Sequence, residues 1–138
     1  MNRTASAQWN GTLKSGSGTL TTESNVLKET PYSFRSRFED GKETNPEELI
    51  AVAHAGCFSM ALSLFLEQAG FPPESISTEA VLTLDTSALE ISKVHLTLKA
   101  KVPNITPDEF LEIAAKAKAG CPVSKVLRAE ISLDATLE

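Results

Sequence analysis

The chain has 138 residues, of which 41% are hydrophobic and 22% charged, and its net charge is −5. That size suits one core and leaves little for a second, so a single domain over 1–138 is expected. The acidic balance and the lack of any run of Lys and Arg exclude a nucleic-acid surface, which would need clustered positive charge.

Ala5, Ala7 and Trp9 alternate with polar residues and run into Asn10-Gly11, which predicts a strand ending in a hairpin turn. Before them, MNRTASAQWNG shows no apolar run of the secretory kind. The expected compartment is therefore the cytoplasm, where cysteines are more often catalytic, redox-active or metal-binding than structural staples. Gly16-Ser17-Gly18 reads as a second loop, and a short strand follows over 19–22. From Pro31, Tyr32, Phe34, Ser36 and Phe38 alternate with Ser33, Arg35 and Arg37. That period of two predicts a strand with both arginines on its polar face. Asp40-Gly41-Lys42 reads as a loop.

A long helix is predicted over 45–70. Asn45 can cap it, Pro46 fits the first helical position, and Glu47 and Glu48 suit the positive end of the dipole. Gly70 and Pro72-Pro73 end it. Two alternating strands follow, one through Ile76, Thr78, Ala80, Leu82 and Leu84, the other through Val94, Leu96, Leu98, Ala100 and Val102. His95 falls on the polar face of the second and reads as solvated. Thr106-Pro107-Asp108-Glu109 has the capping-box pattern of a second helix, with Phe110, Leu111, Ile113, Ala114 and Ala117 toward the core and a stop at Gly120. A short helical turn after Pro122 and a last strand through Ile131, Leu133, Ala135 and Leu137 complete the chain. Strand clusters split by two helices make the fold class α+β rather than a regular βαβ alternation.

The first helix has no charge between Glu48 and Glu67 and is apolar on every side. Such a helix is expected to be buried all round. At 1.5 Å per residue it runs roughly 39 Å, more than one small sheet covers. A C2 homodimer with this helix near its centre is therefore expected. The same segment is long enough to raise a membrane-span flag. His54, Gly56, Ser59 and Ser63 dilute it, and no basic cluster anchors its ends, so a membrane is not expected.

Only two cysteines are present. Cys121, in AGCPVS, falls between a helix end and Pro122, a cap position where free backbone N–H groups favour a thiolate. Cys57 lies deep in an apolar helix, where a thiol is held protonated and inert unless a cation comes to it. Arg35 and Arg37 are the candidate cations. On local structure alone, Cys121 ranks as the more acidic sulfur. His54 shares a helix face with Cys57 and reads first as a core or interface residue.

TNPEELIAVAHAGCFSMALSLFLEQAG, with AKAGCPVSKVLRAEISL far downstream, resembles the OsmC/Ohr family, and WNG…GSGTLTTES and PYSFRSRFED extend the likeness over nearly the whole chain. PYSFRSRFED and AHAGCFSMALS favour the OsmC branch. The resemblance implies antiparallel sheets wrapped around two long helices in an intertwined homodimer. It also implies a thiol-dependent peroxidase without a cofactor. The family's reactive cysteine matches Cys57, its resolving cysteine Cys121, its arginine Arg37 and its glutamate Glu47. This assignment overrides the local ranking of the sulfurs.

The chemistry asks for such a set. A thiolate attacks the distal peroxide oxygen, so a nearby positive charge must ionise it. Arg37 would supply that charge and stabilise the departing alkoxide, while Glu47 would hold the guanidinium by a two-point contact. The sulfenic acid left on Cys57 would condense with Cys121 to a disulfide, which an external dithiol then reduces. The family suggests a lipoyl-type dithiol. Glu47 and Cys57 are about 15 Å apart along one helix, so Arg37 or Glu47 is expected from the partner chain of a dimer. Apolar neighbours such as Phe58, Met60 and Leu62 favour organic hydroperoxides over hydrogen peroxide. Two alternatives remain open: a three-ligand zinc site of His54, Cys57 and Cys121, and a dimeric module that binds a lipid-like molecule.

Overall fold

The computed structural model describes residues 1–138 and separates into two compact units, Met1–Leu49 and Ile50–Glu138. The first is built on a three-stranded antiparallel sheet of β1 (Ala5–Asn10), β2 (Ser17–Thr22) and β3 (Thr30–Tyr32), in that order. Asn10 pairs with Ser17, so the two turn signals read from the sequence are the two ends of one loop, not separate turns. Gly11 opens that loop at φ +93, a left-handed conformation that glycine adopts without strain. Gly18 is needed for a different reason. A Cβ there would lie 2.5 Å from both the Trp9 and Tyr32 rings, which pack against each other with centroids 5.4 Å apart.

The strand expected from Tyr32 to Phe38 stops at Tyr32, and a short helix, α1 (Phe34–Phe38), replaces its second half. Ser33 starts it with a capping box: its hydroxyl accepts from the Ser36 backbone N–H, while the Ser36 hydroxyl accepts from the Ser33 N–H. Phe34 and Phe38 then stack at 5.1 Å, one helical turn apart. A spacing of four fits both a strand and a helix, so the two phenylalanines did not discriminate between them; the local serine caps did. In a strand Arg35 and Arg37 would share a face. In a helix two residues apart they point about 200° from each other.

The long helix, α2 (Pro46–Gln68), starts and stops as its sequence predicts. The Asn45 side chain accepts from the Glu48 N–H at 2.7 Å. Gly70 takes φ +89, and the Phe71 N–H returns to the Leu66 carbonyl at 2.8 Å, which satisfies a carbonyl at the helix end.

In the second unit, β4 (Ser75–Asp85), β5 (Glu90–Lys101) and β6 (Glu130–Leu137) form one sheet in that order. β4 and β5 are antiparallel, but β6 runs parallel to β5, which corrects the wholly antiparallel expectation. The connection explains it: α3 (Pro107–Gly120) and α4 (Pro122–Val126) lie between β5 and β6 and return the chain to the same end of the sheet, as parallel pairing requires. Val94, Leu96, Leu98 and Ala100 of β5 are fully buried beneath Phe58, Leu62 and Leu66 of α2 and Phe110, Ala114 and Ala117 of α3. Leu111, expected in this core, is exposed instead.

α2 is not buried all round in this chain. Its buried residues are His54, Phe58, Leu62 and Leu66, a single stripe at spacing four. Val52, Met60 and Leu64 are exposed, and only 22% of the apolar window is buried.

Candidate active site

Within the first unit, α1 and the first turn of α2 bring together two of the expected site residues. Arg37 Nε donates to Glu47 Oε1 at 3.0 Å, with 42% of the arginine side chain exposed and 12% of the glutamate's. The contact is single rather than two-pointed. Glu47 Oε2 is buried without a partner, so the fork of the guanidinium retains free donors. The Arg37 guanidinium also lies 5.2 Å from the Phe38 ring centre, a cation–π contact that steadies a planar charge. Beside it opens a cavity of about 180 Å³ walled by Trp9, Tyr32, Phe34 and Phe38. Arg35 is placed otherwise. It faces Asp40 at 3.7 Å, with side chains 70% and 93% exposed, where water screens the pair. Of the two arginines, only Arg37 is held by a nearly buried carboxylate.

Within the second unit, the two sulfurs come together as free thiols, Cys57 partly buried and Cys121 fully buried. Cys57 is held above the ordinary thiol range, first by burial and then by Cys121 beside it; a hydrogen bond from the Val123 backbone pulls the other way. No lysine or arginine of this unit is among the groups acting on it. Cys121 is the N-cap of α4, as its sequence context predicts, and its sulfur accepts from the Ser124 N–H at 3.4 Å.

His54, Cys57 and Cys121 do not form a zinc site: no cluster of three or more His, Cys, Asp or Glu side chains is arranged to hold a metal ion.

The profile described as OsmC-like protein matches residues 39–136. The chain belongs to the OsmC family. Peroxiredoxin OsmC of Escherichia coli K12 is 54% identical over 134 residues, which cover 96% of this chain and 94% of that protein. The organic hydroperoxide resistance protein OhrA of Bacillus subtilis is 35% identical over 97 residues, 70% of this chain and 67% of that one. Among solved structures, an OsmC-like protein of unknown function from Vibrio cholerae aligns with a TM-score of 0.78 at 14% identity, covering 99% of both chains. OhrB of Bacillus subtilis aligns at 0.63 and 23% identity, covering 98% of both. These two likenesses carry the mixed α+β fold alone.

One polar residue of this OsmC-family chain, Ser124, escaped the sequence reading of the site, and His54 entered it only as a core or interface residue and as a ligand in the zinc alternative. His54, seen there as a core residue, hydrogen-bonds through Nε2 to the Ser124 hydroxyl at 2.8 Å, and that hydroxyl lies 3.1 Å from the Cys121 sulfur. His54 Nδ1 is buried with no partner, and burial pushes the imidazole pKa down, toward the neutral form. The partners sit 70 positions apart in the chain, and only the fold of α4 against α2 joins them. A serine three residues after a cysteine at a predicted helix start was the one available signal. His95, read as solvated, bridges β5 and β6 through Ser132 at 2.6 Å and Asp134 at 3.1 Å.

Proposed function

We propose that this OsmC-family chain is a thiol-dependent peroxidase that reduces organic hydroperoxides, and hydrogen peroxide less well. The observation that carries this reading is the pairing of the only two sulfhydryls, both free, around Cys57. The names of its relatives, a peroxiredoxin and organic hydroperoxide resistance proteins, support it.

Cys57 is the attacking sulfur. As thiolate it takes the distal oxygen of the hydroperoxide; the O–O bond breaks, the alkoxide leaves and is protonated to an alcohol, and the sulfur becomes a sulfenic acid. Arg37 supplies the positive charge for both the thiolate and the leaving alkoxide, and Glu47 fixes its orientation. Cys121 then attacks the sulfenic sulfur, releasing water and forming the disulfide, which an external dithiol of lipoyl type reduces. No cofactor is required. The aromatic cavity beside Arg37 suits the organic part of such a substrate.

The working unit in this reading is a cytoplasmic homodimer in which residues 1–138 of each chain act as one OsmC-like domain. Exposed Val52, Met60 and Leu64 on α2 are the surface the second copy covers, and Arg37, held by Glu47 of its own chain, reaches the Cys57 of the partner to complete two composite sites.

Single-turnover oxidation with cumene hydroperoxide tests the assignment. Cys57→Ser should abolish alcohol release. Cys121→Ser should release one equivalent and leave a sulfenic acid that a dimedone probe traps. If the Cys57→Ser protein turns over hydroperoxide with dihydrolipoamide, the mechanism is wrong. Tight binding of the peroxide's hydrocarbon part without any oxidation would instead make the protein a binding module.

A further inference from the structure

Of the buried line His54–Ser124–Cys121, the chemistry above uses only the sulfur. His54 and Cys121 are fully buried and Ser124 nearly so. Burying an imidazole with one nitrogen unpaired is unfavourable, and a leucine would fill the same place without that penalty. Its other nitrogen meets a hydroxyl at 2.8 Å, and that hydroxyl meets the sulfur that must lose a proton at 3.1 Å. A hydroxyl both donates and accepts, so this three-membered line can carry a proton in either direction.

We propose that Ser124 and His54 form a proton relay for the resolving step: the Ser124 hydroxyl takes the Cys121 proton while passing its own to His54 Nε2, so Cys121 attacks the Cys57 sulfenic acid as a thiolate. The proposal rests on the peroxidase reading and adds the group that activates its second thiol. Ser124, in contact with the reacting sulfur, is the catalytic member; His54 acts through it as a positioning and proton-accepting residue. The balance closes. The Cys121 S–H bond breaks and the Cys121–Cys57 S–S bond forms as the Cys57 S–O bond breaks. The thiol sulfur is oxidised, the sulfenic sulfur reduced, and the departing hydroxide recovers the relayed proton as one water. The Ser124 N–H on the sulfur stabilises the negative charge while it lasts.

A relay differs from mere packing in what each substitution does. Ser124→Ala keeps the volume nearly unchanged and cuts the line. Ser124→Thr keeps the hydroxyl. His54→Gln keeps a hydrogen-bonding side chain that cannot take up a proton. With cumene hydroperoxide as oxidant, alcohol release reports the first step and free-thiol loss with disulfide mapping reports the second. Ser124→Ala and His54→Gln should still release the alcohol but form the disulfide on the order of 100-fold more slowly, the usual contribution of a positioned acid–base group. Sulfinic acid should accumulate on Cys57 in both, and Ser124→Thr should restore the disulfide rate. Wild-type disulfide rates in Ser124→Ala and His54→Gln, or failure of Ser124→Thr to rescue, overturn the relay. Absence of any Cys57 oxidation in the unaltered protein overturns the peroxidase reading itself, a distinct outcome.

Discussion

Replacing Arg37 with methionine removes a charge while keeping much of the side-chain stem, and the structure sets two different magnitudes for the consequence. For folding, what is lost is one hydrogen bond of 3.0 Å from a guanidinium that is 42% exposed, together with its contact with the Phe38 ring. Solvent screens such a pair, which is worth about 0.2–1 kcal/mol. The upper end applies, because Glu47 is nearly buried and its Oε2 already lacks a partner. For catalysis, the loss is of a donor and charge aimed where negative charge develops, which costs about 10²–10³ in rate, or roughly 3–4 kcal/mol of barrier at 1.36 kcal/mol per decade. The rate should therefore collapse in a protein that melts within a few degrees of the original. Arg35→Met is the control. Its partner is 3.7 Å away and both side chains are largely in water, so neither rate nor stability should move measurably. Glu47→Gln should fall between, about tenfold down, and the double variant Arg37→Met, Glu47→Gln should be no slower than Arg37→Met alone, because the glutamate acts only through the arginine. Single-turnover consumption of cumene hydroperoxide and thermal melts measure both quantities. An Arg37→Met protein that keeps a third of the rate, or an Arg35→Met protein that loses as much as Arg37→Met does, refutes the assignment.

Gly18→Ala should destabilise the first unit by about 1–3 kcal/mol, the usual penalty of overpacking, since its methyl would sit 2.5 Å from two aromatic rings; an unchanged melting profile would show that Trp9 and Tyr32 yield freely. The His54 pKa is depressed by burial below its ordinary 6.5, so below that pH the unfolded chain binds a proton that the folded chain refuses. Stability should accordingly be complete above about pH 6.5 and fall as the pH drops from there through the folded pKa. His54→Gln should remove that part of the slope in denaturant titrations, and an identical slope would place the acid sensitivity elsewhere. Met60→Glu, on the exposed side of α2, should leave the chain folded but reduce its sedimenting mass from that of two copies to one. A monomeric unaltered protein would refute the dimer outright.

What could be read from the sequence was whatever a short stretch decides alone. Asn45, Pro46 and Gly70 mark the ends of α2 because caps and breakers act within one turn of the chain. The same kind of locality misled at 33–38, where Phe34 and Phe38 fit two periods at once and the Ser33–Ser36 capping box settled the matter. That error had a functional cost, since a strand puts both arginines on one face and leaves the choice between them to resemblance. The direction of β6 was not legible, because strand pairing is a long-range contact that no local pattern encodes. For the same reason the Ser124–His54 bond, spanning 70 positions, had no sequence signature beyond a serine near a cysteine.

The two sulfurs show how local and long-range physics divide the work. Position at the start of α4, legible from Gly120 and Pro122, gives Cys121 a backbone donor. Burial and the neighbouring thiol leave Cys57 harder to ionise than a free cysteine. A thiol with a raised pKa stays silent until a cation arrives, and what acts on Cys57 is burial, the Val123 backbone and the neighbouring Cys121. The first unit holds an arginine with unspent donors beside an aromatic cavity. If activation depends on the arginine of a partner chain, as proposed, then Cys57 is reactive only in the dimer. An isolated or misassembled chain would carry a protonated, inert sulfur. Oligomerisation would then do more than cover the apolar side of α2: it would decide when the thiol becomes a nucleophile. The Met60→Glu protein should on this argument lose Cys57 reactivity toward hydroperoxide together with its partner, at unchanged fold.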